Sequence, residues 1–274
     1  EVRGRRDRFA GRLARHQAGR GGPLQGQRHR LRGTAGRLGR RGRRHPQGQH
    51  LGAQVDRRAA QENLGLTCHF VETQDDGAVE ANADIVAAAI RSRAESGRRL
   101  IIISASKSSP EVALALTRLG QAQSAHVAAW INMGGVLQGT PLLDEYLFQE
   151  LEFLVGDVDD AGKESLAPAR SRQRFDTLRV PDHVLVVNYV GIPLTGSISF
   201  WARRGFASLR KYGPNDGVSL LSDIIFPGGV TVADLGNDHF MGGKPSDITT
   251  VALAMTAIRW LEHPNSEIVR GPRR

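Results

Sequence analysis

Ser106, Asp216 and His239 stand in the chain order, and in the kinds of segment, that a hydroxyl nucleophile, its orienting acid and its base require. Ser106 lies in Ser104-Ala105-Ser106-Lys107-Ser108, directly after the apolar run Leu100-Ile101-Ile102-Ile103. The following Pro110-Glu111-Val112-Ala113-Leu114-Ala115-Leu116 has helical apolar spacing. A buried strand that ends at a serine and turns at once into a helix holds the hydroxyl on a sharp, exposed turn, with helix N–H groups near enough to receive an oxyanion. The layout is that of a nucleophile elbow and predicts acyl transfer at Ser106. Such elbows usually read G-x-S-x-G because the flanking positions are crowded, whereas here Ser104 and Ser108 occupy them. A reading without chemistry competes: Ser109, Pro110 and Glu111 also look like an N-cap, an N1 proline and an acidic first turn.

Asp216 falls in Gly213-Pro214-Asn215-Asp216-Gly217, downstream of the strand-like run His183 to Val190. His239 falls in Gly236-Asn237-Asp238-His239-Phe240, just past the short strand Val230 to Leu235 that follows Gly228-Gly229. Sites in parallel sheets gather at the carboxyl ends of strands. Asp182 precedes its strand and so sits at the wrong end, and Asp238 adjoins His239 and points elsewhere. Asp223 and Asp234 are the fallback acids. Each partner has its own bland reading, since Asn-Asp-Gly is a common turn and a loop histidine is commonly only solvated. Their joint order and placement favour a triad.

With these residues in view, the sequence resembles the α/β-hydrolase family, particularly its lipases and esterases, from about residue 64 to residue 263. Asn132 to Asp144 looks like the segment after the next strand in bacterial lipases, with Gly134, Gly135, the Gly139-Thr140 pair and Asp144. Asn215-Asp216-Gly217 likewise looks like an acid-bearing lipase turn. The resemblance implies Ser106 as nucleophile, Asp216 as orienting acid, His239 as base and the Lys107 backbone N–H as one oxyanion donor. It implies a small-molecule or lipid ester as substrate and no cofactor. The family places a second oxyanion donor on a loop after an early strand, and no such strand and loop is legible before residue 64. Loss of one such donor typically costs on the order of 10²- to 10³-fold in rate, so impaired activity is the expectation for the chain as written.

The elements that must position these residues alternate between strand-like and helix-like segments from residue 64 onward, the pattern of an α/β fold with a mostly parallel sheet flanked by helices. Leu66 to Val71 reads as a strand. Val79, Ala83, Val86 and Ile90 share a helical face, with Gly97 as its stop. Leu100 to Ile103 and Val127 to Asn132 read as strands, and Asp247 to Glu262 as a closing helix. About residues 142 to 180 form an insertion with a stripe of Leu143, Leu147, Leu151 and Leu154, widened by Tyr146, Phe148 and Phe153. A helix buried on several sides is the plainer reading; a helical cap or lid over an acyl pocket is the functional one. Arg170, Arg172 and Arg174 mark a polar connection back to the sheet.

The net charge of +9 would ordinarily suggest a nucleic-acid partner. It is concentrated at one end: residues 1 to 50 hold 15 Arg, no Lys and two acids, a net +13, leaving −4 for residues 51 to 274. The first 55 residues lack the apolar surface to offset the entropy of ordering and are expected to be a disordered tail ahead of a single hydrolase domain, 56–274. A tail that binds RNA, a passive tail and a wrong-frame translation of GC-rich DNA compete. The last is favoured, because arginine without lysine amid Gly, Gln and His fits GC-rich codons read off frame. Cys68, the single cysteine, forms no intrachain disulfide and, adjacent to His69, has no zinc spacing. No apolar run reaches the roughly 20 residues that span a bilayer, and a cytoplasmic location is the expectation over a secreted one. Oligomeric state leaves no mark on the sequence.

Overall fold

A computed structural model describes residues 63–74, 77–144, 160–241 and 246–263. Four strands, β1 (Leu100–Ala105), β2 (Val127–Met133), β3 (Leu185–Ile192) and β4 (Val230–Leu235), form a sheet in the order β1-β2-β3-β4. All three pairings are parallel, with Ile103 opposite Ile131, Asn132 opposite Asn188, and Val187 opposite Val230. Parallel neighbours need crossovers, and helices supply them. The helices are α1 (Val79–Ala94), α2 (Ser108–Gln123), α3 (Asp160–Leu166), α4 (Pro168–Phe175), α5 (Arg203–Leu209) and α6 (Ser246–Glu262), with a 3₁₀ turn at Pro141–Asp144. None is long and apolar enough to cross a membrane.

β2 is buried along its whole length, so its residues divide between two cores by strand alternation. Trp130 joins Val86, Ile90, Val112, Leu116 and Leu119 of α1 and α2 on one face. Ala129, Ile131 and Met133 meet Leu253, Ala254 and Ala257 of α6 on the other. Alanines at the helix contact positions let backbones approach the sheet closely. Trp130 is the largest fully buried side chain. Its ring meets Phe226 edge to face at 5.5 Å, and its indole N–H donates to Ser104 Oγ at 2.8 Å, so its polar atom is satisfied where water is excluded.

Two expectations need correction. Leu66–Val71 lies in neither helix nor ladder, although half-buried residues alternate with exposed ones from Leu66 to His69. Alternation prepares a segment for a sheet, but backbone partners on an adjacent strand make it one, and β1 is a sheet edge among the described residues. Ser109 does not cap α2: the helix begins at Ser108 with Lys107 as N-cap, and Ser109 is buried against Ser104, Oγ to Oγ at 3.0 Å. The polar connection marked by Arg170, Arg172 and Arg174 is helical, being α4, and one of the three is buried. Buried Arg174 donates to Glu80 of α1 at 3.1 Å and to the Ser165 carbonyl at 2.8 Å, which ties this flank of the insertion to α1. The leucine and aromatic stripe beyond Asp144, like the N-terminal tail, lies outside the described residues.

Two buried asparagines lock the sheet to the segment that follows the acid-bearing turn. Asn132 Nδ2 donates to Asn188 Oδ1 at 3.0 Å and to the Ile224 carbonyl at 2.8 Å. Asn188 donates to the Phe226 carbonyl and accepts from the Phe226 amide, both at 2.9 Å. Each amide thus replaces a ladder that the irregular 224–226 segment cannot make. Asn188→Ala leaves the Phe226 amide and carbonyl without this partner in a dry setting, and is expected to destabilise the protein by roughly 2–4 kcal/mol. Urea denaturation against wild type measures this; a shift under half a kcal/mol would show that the pair does not hold the segment.

Candidate functional site

Ser106 occupies the single residue between β1 and Lys107, with φ at +51°, a left-handed conformation unusual outside glycine. The turn is stitched on both sides. The Ser106 amide donates to the Met133 carbonyl at 3.2 Å, and the Ser106 carbonyl accepts from Val136 at 3.1 Å and Ser109 at 3.2 Å. The two serines that replace the usual glycines add to this: Ser104 Oγ accepts from Trp130, and Ser108 Oγ accepts from the Ala105 amide at 2.9 Å and donates to its carbonyl at 2.8 Å. Small hydroxyl side chains fit the crowded positions and satisfy polar groups there.

Lys107 follows. As the N-cap residue of α2, its backbone N–H has no preceding helical carbonyl to bond. Its ammonium donates to Glu111 Oε1 at 3.0 Å and to the Gln74 carbonyl at 3.2 Å. Glu111 also accepts from Asn82 Nδ2 at 2.8 Å. Burial pushes the Glu111 carboxyl up, with Lys107 and Asn82 only partly offsetting it.

Asp216 is fully enclosed, and the turn around it solvates its carboxylate. Oδ1 accepts from the Val218 amide at 2.9 Å and the Ser219 amide at 2.8 Å. Asn215 Oδ1 accepts from the Gly217 amide at 3.0 Å, closing the same turn. The turn presses on α5 at Gly205, where a Cβ would stand 2.0 Å from the Gly217 carbonyl oxygen; only glycine leaves room.

His239 lies on the loop after β4. Its amide donates to the Asp216 carbonyl at 2.9 Å. The neighbours anchor it further: Asp238 accepts from the Ser199 amide at 2.6 Å and the Phe240 amide at 3.0 Å, and Asn237 donates to the Tyr189 hydroxyl at 2.8 Å. Tyr189 in turn donates to Asp234 at 2.8 Å. Burial, then that carboxylate, push the Tyr189 phenol upward, so it stays neutral.

These loops meet at the carboxyl edge of the sheet. Asp216 Oδ2 stands 2.8 Å from His239 Nδ1, and His239 Nε2 stands 3.0 Å from Ser106 Oγ. Side-chain exposure is 6% for His239 and 1% for Asp216, while Ser106 is half-buried and reachable. Burial pulls the imidazole down, but the charge and hydrogen bond of Asp216, with the charge of Asp238, outweigh it and raise its pKa above 6.5. A neutral His239 carrying its proton on Nδ1 can accept the Ser106 proton at Nε2. Gly134 runs beside the pair, with φ at +58° and its would-be Cβ 3.7 Å from His239 Nδ1.

The fallback acids lie elsewhere. Asp223 accepts from Ser222 at 2.9 Å and faces Arg172 at 3.6 Å, and Asp234 holds Tyr189. Sequence reasoning missed the supporting residues Asn132, Asn188, Tyr189, Asn237 and Glu111. A visible signal existed for Asn188, a lone amide within the buried run Val186-Val187-Asn188-Tyr189-Val190, because buried amides are placed where they are bonded. Among the described residues no group of three or more His, Cys, Asp or Glu side chains is placed to hold a metal ion.

Solved structures with the same arrangement of elements include the Bacillus licheniformis lipase BlEst2 in mature form. It is 21% identical with a TM-score of 0.56, over 67% of this chain and 76% of that one. The metagenomic carboxyl esterase MGS0156 is 19% identical with a TM-score of 0.62, over 76% of this chain and 69% of that one. The fold is that of an α/β hydrolase. No protein-family model and no curated protein matches the chain. At these identities the likeness is one of architecture.

The His239 shift has a stability consequence with a definite sign. Because the folded protein favours the imidazolium, this pairing contributes stability that is complete below pH 6.5 and is lost as pH rises through the higher folded value. Asp216→Asn leaves burial as the dominant influence and is expected to reverse the slope, so that stability falls as pH drops below 6.5. Urea midpoints between about pH 5 and 9 measure both slopes; an unchanged slope in the variant would refute the pairing.

Proposed function

We propose that the protein is a serine hydrolase that cleaves a carboxylic ester of a hydrophobic acyl substrate through an acyl-enzyme. The single observation supporting this most strongly is the continuous hydrogen-bonded series from Asp216 Oδ2 to His239 and on to Ser106 Oγ. The names carried by the fold relatives, a lipase and a carboxyl esterase, agree with it.

In this reading Ser106 Oγ attacks the ester carbonyl carbon while His239 Nε2 takes its proton. The carbonyl π electrons move to oxygen, and the Lys107 N–H donates to that oxyanion. The tetrahedral species collapses, the C–O bond to the alcohol breaks, and His239 returns its proton to the leaving alkoxide. Water, deprotonated by His239, then attacks the acyl carbon, and release of the acid restores the Ser106 hydroxyl. Asp216 keeps the imidazole in the Nδ1–H tautomer and stabilises the imidazolium throughout. The left-handed Ser106 turn serves the same end, projecting the hydroxyl between the helix N-terminus and the imidazole.

A fluorophosphonate probe is expected to label wild-type protein at Ser106, located by mass spectrometry, and to leave Ser106→Ala unlabelled. Asp216→Asn is expected to lower kcat for a soluble short-chain ester by about 10⁴-fold, through loss of the correct tautomer. Labelling that survives in Ser106→Ala, or a folded wild type that neither labels nor hydrolyses any ester, would overturn the reading.

A further inference from the structure

The segment between β3 and the Asp216 turn exposes apolar side chains that the hydrolase reading leaves unused. Leu194 is 50% exposed, Phe200 74%, Trp201 48% and Tyr212 47%. The Phe200 and Trp201 rings meet edge to face at 5.2 Å, so they form a standing aromatic pair in contact with water. Leu235, 61% exposed at the end of β4, is registered opposite Ile192, two residues before Leu194. These residues thus lie at the carboxyl rim of the sheet, the rim that carries His239.

Charge distinguishes this segment from the rest of the folded region. Residues 183 to 215 contain no Asp or Glu, and they carry Arg203, Arg204, Arg210 and Lys211, all exposed. The rest of residues 51 to 274, outside this segment, carries a net charge of −8. Exposed aromatics flanked by arginine and lysine match an anionic lipid surface, where rings enter the headgroup layer and cations pair with phosphates above them. The segment is also wired to the site: the Ser199 amide, directly before Phe200, donates to Asp238 at 2.6 Å, and Asp238 adjoins His239.

We infer that the Leu194–Tyr212 segment anchors the protein to anionic lipid surfaces and presents the Ser106 site to them. The purpose of the anchor rests on the ester-hydrolase reading; the binding itself does not. Arginine and lysine supply attraction at a distance, while Phe200 and Trp201 supply the apolar insertion that fixes which rim faces the lipid.

The test uses the full chain and vesicles of phosphatidylcholine, alone or mixed with phosphatidylglycerol, with acyl-chain bromines as a contact quencher of tryptophan. The expected result is binding to the mixed vesicles, weak binding to phosphatidylcholine alone, and quenching that Trp201→Phe removes. Phe200→Ser/Trp201→Ser, checked for folding by circular dichroism, is expected to bind at least about tenfold more weakly. Absence of vesicle binding would overturn the inference. So would unchanged binding by the double variant, or binding with Trp201 unquenched, since either means attachment through another part such as the arginine-rich first 50 residues. A soluble short-chain ester, which needs no surface, separates the two readings. Wild type that binds vesicles but neither takes up the fluorophosphonate probe at Ser106 nor hydrolyses any ester sinks the esterase reading alone; hydrolysis of the soluble ester without vesicle binding sinks the anchor alone.

Discussion

A carboxylate with 1% of its side chain exposed must receive from protein the hydrogen bonds it would have taken from water. Asp216 obtains three, two amides on Oδ1 and the imidazole on Oδ2. That requirement organises much of the molecule. The turn must stay tight enough for the Val218 and Ser219 amides to converge, which Asn215 and Gly217 secure. It must press against α5, which Gly205 permits. It must also keep its position relative to the sheet, which the Asn132 and Asn188 side chains secure by gripping residues 224 to 226. A buried anion of this kind is strongly destabilising once any of its partners is lost, so its surroundings are under tight constraint.

The second constraint is strain. A left-handed serine costs of order 1–3 kcal/mol, and the Ser106 turn holds it by surrounding the residue with bonds. The Met133, Val136 and Ser109 backbones engage both its peptide groups. Ser104 and Ser108 contribute hydroxyl contacts that glycine would not make. The result is a hydroxyl held 3.0 Å from the imidazole by bonds on both sides of the turn.

The His239 loop is anchored differently, by side chains of its own neighbours. Asp238 reaches the Ser199 amide, and Asn237 reaches Tyr189 in β3. The aromatic segment and the His239 loop therefore share one hydrogen-bonded junction, whereas α4 is tied to α1 through Arg174 and Glu80. The Ser106 hydroxyl thus takes its position from one end of the sheet and the imidazole from the other, and the parallel alignment of strands brings them to a common edge.

Local patterns in the chain were enough to place β1 to β4, α1, α2 and α6, because strand alternation, helical spacing and glycine stops act over a few residues. They also singled out Ser106, Asp216 and His239, since the order of elements along a parallel sheet dictates which loops share an edge. Pairing was beyond them: Leu66 to Val71 has a strand's composition, yet a ladder depends on a neighbour's backbone far away in the chain. The same holds for Ser109, whose capping signature yields to burial against Ser104, and for Arg174, whose charge reads as solvated until Glu80 of α1 is beside it. Which of Asp216, Asp223 and Asp234 stands beside His239 was likewise decided by folding. All three are acidic residues in turns or at strand ends, and a distance of 2.8 Å to His239 arises from contacts between segments more than 20 residues apart.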